Sequence, residues 1–159
     1  MNVTQLIALF TWLTLTFYGG TATRIIIGLP ATIVHELAHW FIALLFGSRP
    51  SLPSFWPKRE KDSKRWVLGS VQFVAYPRVA GIVALAPLWC LAPTAWWLLT
   101  SSTQMHTLLY QGVVGILAGY LVVGAVPSSQ DWYIALKYPV GSVLVLVALA
   151  YAVRIALGF

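Results

Sequence analysis

The sequence predicts an all-helical, polytopic membrane protein of about five transmembrane helices, with a small re-entrant β-strand or hairpin near the cytoplasmic face. Composition is the first observation: of 159 residues, 59% are hydrophobic and 9% charged, against about 25% charged in an ordinary soluble domain. Ten Lys and Arg with four Asp and Glu cannot cover a water-facing surface, so most of the exterior has to face lipid. Run length is the second, because the apolar stretches approach the 20 or so residues that a membrane helix needs. The third is the clustering of charge in one connection. Together they make residues 1–159 a single membrane-embedded domain.

The apolar runs are 3–18, 24–46, 79–100, 104–126 and 138–157. The first follows Met1-Asn2, which lacks the basic region of a signal peptide, and no small-residue cleavage site follows it; it reads as a retained span. Gly19-Gly20 and Ser101-Ser102 punctuate tight connections, and Pro127-Ser128-Ser129 closes the fourth run. Gly115 and Gly119 stand at GxxxG spacing, suited to close packing within the bundle, with a homo-oligomer face as the alternative. The single cysteine, Cys90, has no disulfide partner and reads as packing.

Only the connection 47–78 is long. It carries Arg49, Lys58, Arg59, Lys61, Lys64, Arg65 and Arg78, seven of the ten basic residues. The positive-inside rule therefore places it in the cytoplasm and orients every span, giving a multi-pass protein of a bacterial-type cytoplasmic membrane. The net charge of +6 belongs mostly to this loop, so its partner is anionic membrane lipid and not nucleic acid. Pro50, Pro53 and Pro57 exclude a helix from the start of the loop 47–65, whose second half is a solvated charge run. Residues 66–76 are β-rich, too short to span, and end at Pro77. At the membrane surface their backbone must pair with itself or offer an edge to something else.

His35-Glu36-Leu37-Ala38-His39 is an H-E-x-x-H sequence inside the second run. On a helix, positions i and i+4 share one face, so both imidazoles reach one metal ion while Glu36 stands beside it to take a proton from water. This is the chemistry of a zinc hydrolase. The competing reading has the three polar side chains pairing with one another across a helix interface, although ionisable groups in a membrane are costly and mark function by default. A catalytic zinc normally has three protein ligands. The remaining candidates are Glu60, Asp62, Asp131 and His106. Glu60 and Asp62 lie in the charged loop, and His106 starts the fourth run on the outer side, about 20 Å from His39 at 1.5 Å per helical residue. Asp131 follows that run on the cytoplasmic side, where His39 lies, and is the third ligand if the chain re-enters the bilayer after Pro127. Its other reading is the N-cap of a helix beginning near Trp132.

In these features the chain resembles the site-2 protease family of intramembrane zinc metalloproteases, as a small member without a PDZ domain. The resemblance runs from His35-Glu36-Leu37-Ala38-His39 and Phe46-Gly47 through Gly69-Ser70-Val71-Gln72-Phe73 and Gly81-Ile82-Val83-Ala84-Leu85-Ala86-Pro87. It ends at Pro127-Ser128-Ser129-Gln130-Asp131-Trp132, where the family carries Asp-Gly and this chain has Trp132 in place of the glycine. It implies a zinc metalloendopeptidase with Zn²⁺ on His35, His39 and Asp131, Glu36 as general base, and transmembrane proteins as substrates, cut near the cytoplasmic side. Gln72 and Gln130 are candidates for orienting substrate, and the 67–76 strand offers an edge for β-augmentation. The alternatives are a non-catalytic relative that binds transmembrane segments or metal, and a small metal-handling membrane protein. An intact Glu36 argues against the first, and ionisable residues gathered at one depth argue against the second.

Overall fold

The computed structural model describes residues 2–17, 21–55, 58–59, 66–67, 69–74, 76–101, 107–156 and 158. Its elements are α1 (Val3–Phe17), α2 (Thr21–Leu45), β1 (Lys58–Arg59), β2 (Trp66–Val67), α3 (Ala80–Ala84), α4 (Ala86–Ser101), α5 (Leu108–Ala125), α6 (Ser129–Lys137) and α7 (Pro139–Ala156). The architecture is helical. Among the described residues, three helices are long and apolar enough to cross a membrane: Ile25–Leu45 within α2, Leu108–Ala125 and Pro139–Ala156. The charged run 60–65, the Gly19-Gly20 turn, Ser102 and His106 lie outside the described residues.

Three expectations change in detail. The first run forms a helix of 15 residues, about 22 Å long at 1.5 Å per residue and so shorter than the hydrocarbon core of about 30 Å. The third run, expected as one helix over 79–100, is broken at Leu85 (φ −93°, ψ 7°) into α3 and α4, because Pro87 has no N–H with which to continue the ladder. The β-rich segment 66–76 forms no hairpin of its own among the described residues. Its first two residues pair antiparallel with β1, and residues 69–74 run alongside 48–54. Ser54 and Ser70 exchange two backbone bonds of 3.0 Å, the Ser51 N–H donates to Gln72 (2.8 Å), and the Val74 N–H donates to Ser48 (2.9 Å). Pro50 and Pro53 interrupt that partner strand, which is why no continuous ladder forms.

Packing is closest where glycines let backbones approach. A Cβ on Gly115 would lie 2.8 Å from the Thr4 carbonyl, and one on Gly119 would lie 2.6 Å from Thr11 Cβ. Both glycines therefore face α1, which runs along α5. Helix α5 packs in turn on α4 and α2, and α3 sits on α6 and α7. Two buried apolar clusters meet around α3: Ile42, Ala43, Val83 and Ala86 on one side, and Ala84, Leu85, Ala135 and Val145 on the other. The Ser142 hydroxyl donates to the Ala135 carbonyl (2.7 Å) and fastens α7 to α6. Elsewhere the spans expose Ile26, Leu109, Leu144 and Val147, as surfaces bathed in acyl chains do.

Candidate metal centre

His35 and His39 lie on consecutive turns of α2 with their ring centroids 4.8 Å apart and their planes at 78°. Each ring is aimed by its Nδ1. That of His35 donates to the carbonyl of Gly124 at the end of α5 (2.7 Å), and that of His39 donates to the carbonyl of Val83 in α3 (2.8 Å). Because a carbonyl only accepts, the proton of each neutral ring resides on Nδ1 and the Nε2 lone pair is presented to the other side.

The third group arrives from α6. Ser128 caps that helix, its hydroxyl accepting from the Asp131 N–H (3.2 Å) while Asp131 Oδ2 accepts from the Ser128 N–H (2.7 Å), a reciprocal capping box. The N-cap is thus Ser128, and Asp131 occupies the third helical position with its carboxylate turned back over the start of the helix. From there Oδ2 lies 3.2 Å from His35 Nε2 and Oδ1 lies 3.1 Å from His39 Nε2. The two Nε2 atoms are 3.1 Å apart.

Three acceptor groups therefore converge on one point in a largely buried setting, His39 at 5% and Asp131 at 6% exposure. Lone pairs so arranged repel unless a metal ion or a shared proton lies among them. The two Nε2 atoms each meet a different oxygen of the Asp131 carboxylate, at 3.2 and 3.1 Å, and one ligand atom from each residue lies within 4.8 Å of the others. His35, His39 and Asp131 form a group that can hold a metal ion, and a donor set of two imidazoles and one carboxylate suits zinc among other first-row transition metals.

Glu36 is half-buried on the same turn of α2 as His35. The extended segment crosses it closely: a Cβ on Gly69 would come within 2.7 Å of Glu36 Cγ, 2.8 Å of Thr32 Cγ2 and 3.0 Å of Glu36 Oε1. Only a glycine lets the 69–74 segment lie this near the carboxylate. The Gln72 and Gln130 side chains are both exposed, and Gln72 engages Ser51 through its backbone. Sequence reasoning missed Ser128, although Ser-x-x-Asp is a recognised helix start. It also missed the Val83 and Gly124 carbonyls, which as backbone groups leave no side-chain signature.

Comparison with protein families, with curated proteins and with solved structures gives no match to this chain.

Proposed function

We propose that the chain is a zinc-dependent intramembrane endopeptidase of the site-2 protease class. The observation that carries this reading is the convergence of ligand atoms of His35, His39 and Asp131 within 4.8 Å of one another, the two histidines and Glu36 lying on a helix apolar enough to span a bilayer. In this reading α1 and the combined α3–α4 unit join the three long helices to make five passes. The basic loop 47–78 faces the cytoplasm of a bacterial-type membrane, and anionic lipid neutralises it.

When bound, zinc supplies the Lewis acid that brings the pKa of a water towards neutrality and polarises the scissile carbonyl. His35 and His39 contribute their Nε2 lone pairs and Asp131 its carboxylate. Glu36 accepts the proton of the attacking water and returns it to the leaving amine, the general-base and general-acid halves of one cycle. Peptide hydrolysis needs an extended backbone. The 69–74 segment uses Ser70, Gln72 and Val74 towards 48–54, so the edge carrying Val71 and Phe73 is the one to which an unwound transmembrane substrate adds.

The test is cleavage of an unfolded polypeptide by protein purified in detergent. Glu36→Gln is expected to lose about 10²- to 10⁴-fold in rate while retaining its zinc. Equal cleavage by the variant, or no cleavage by zinc-loaded native protein on any unfolded or membrane-embedded polypeptide, contradicts the protease reading and leaves a metal-binding membrane protein.

A further inference from the structure

Two helix breaks and two proline residues coincide with the two carbonyls that aim the histidines. In a continuous helix the Val83 carbonyl would accept from the N–H of residue 87, and residue 87 is a proline. At this break the Leu85 N–H is shared between the Gly81 and Val83 carbonyls, which leaves Val83 a lone pair for His39 Nδ1 (2.8 Å). The neighbouring Ile82 carbonyl is taken by the Trp89 indole N–H (3.1 Å). At the end of α5 the Gly124 carbonyl would look to residues 127 and 128. Pro127 has no N–H, and it forces Val126 into an extended conformation (φ −71°, ψ 118°) that ends the helix. The Ser128 N–H is diverted to Asp131 Oδ2 (2.7 Å). Gly124 thus keeps its carbonyl for His35 Nδ1 (2.7 Å). Its lack of a side chain brings that carbonyl close enough, since a Cβ there would lie 2.9 Å from the Ala31 carbonyl on α2.

We propose that Pro87 and Pro127 are positioning residues of the metal centre: each denies a helix carbonyl its usual N–H donor, and the freed carbonyl orients one histidine so that Nε2 faces the metal. A membrane helix tolerates proline only where another group re-satisfies the freed backbone, and here the ligand imidazoles are those groups. The same break after α5 frees the Ser128 N–H that orients Asp131, so one chain reversal aims two of the three ligands. Hydrogen bonds behind metal ligands fix ring tautomer and orientation, and their loss weakens binding. The proposal rests on the metal-binding reading of His35, His39 and Asp131, and not on the reaction.

The test is Co²⁺ binding to detergent-purified protein, followed by visible absorption with a competing chelator. Pro87→Ala and Pro127→Ala restore an N–H that competes for the Val83 carbonyl or extends α5, and each is expected to weaken Co²⁺ binding about 10- to 100-fold. Pro93→Ala, an exposed proline six residues further along α4, is the control and should leave affinity unchanged. Unchanged affinity in folded Pro87→Ala and Pro127→Ala, or equal weakening by Pro93→Ala, overturns the proposal. Should the first two variants fail to fold, ¹⁵N spectra of histidine in the zinc-loaded native protein decide. Both rings protonated at Nδ1 support the proposal, and protonation at Nε2 overturns it. Native protein that binds neither ion defeats the metal reading itself, and this inference with it; native binding with unaltered variants defeats this inference alone.

Discussion

The α1–α5 interface and the junction of α2, α3 and α6 solve the same problem, close helix approach in an apolar medium, in opposite ways. Along α1 and α5 the helices are unbroken, their backbone groups are satisfied internally, and Gly115 and Gly119 bring two smooth surfaces together. At the α2–α3–α6 junction the helices break at Leu85 and Val126, and the backbone groups released there are bonded to His39, His35 and Asp131. The difference teaches that the chemistry-bearing end is built from interruptions. A break in a membrane helix is costly unless its polar groups find partners, and the candidate ligands are those partners, so packing and metal binding are coupled at one end and separable at the other.

The sharpest way to break this comparison is to remove a ligand that also satisfies a carbonyl. His39→Ala should abolish metal binding and also lower the detergent melting midpoint of the metal-free protein. The deletion leaves the buried Val83 carbonyl with only its share of the Leu85 N–H, at a cost of about 1 kcal/mol for the lost hydrogen bond, besides the cavity left by the ring. A metal-free protein as stable as native would uncouple packing from the site. At the other end, Gly119→Val should destabilise by about 1–3 kcal/mol through overpacking against Thr11, yet leave metal content per folded chain intact; a parallel loss of metal would contradict the separation of the two ends. Ser128→Ala removes the hydroxyl that caps α6 and should cost about 1 kcal/mol, while metal binding is largely kept because the Ser128 backbone N–H still holds Asp131 Oδ2. The smallest effect is expected of Gly69→Ala. Its Cβ presses on Glu36 and Thr32, so turnover should fall in the cleavage assay while metal content stays constant.

Legibility from sequence follows the same division. His35, Glu36 and His39 could be read because i, i+4 spacing on an apolar helix leaves one geometry. Asp131 could be reached because the charge bias predicts it on the same side of the membrane as His39, and its position in a capping box was hidden only by attention to Asp131 itself as the cap. The break at Leu85 was carried in the sequence by Pro87, the ninth residue of 79–100, which denies the helix an N–H, but it was overridden by the unbroken apolar run around it. The pairing of 69–74 with 48–54 was missed because prolines in 50–57 mark a loop by composition, while the bonds run through Ser48, Ser51 and Ser54 between them. Hydropathy reports which segments meet lipid. It carries no information about where a backbone carbonyl is left over.

The most direct measurement of the central claim is zinc per chain in detergent-purified native protein and in Asp131→Ala. The account predicts one zinc per native chain, lost or much weakened in the variant, with both proteins folded. A folded native protein that takes up no zinc, or a variant that holds it as tightly as native, would contradict the three-ligand centre.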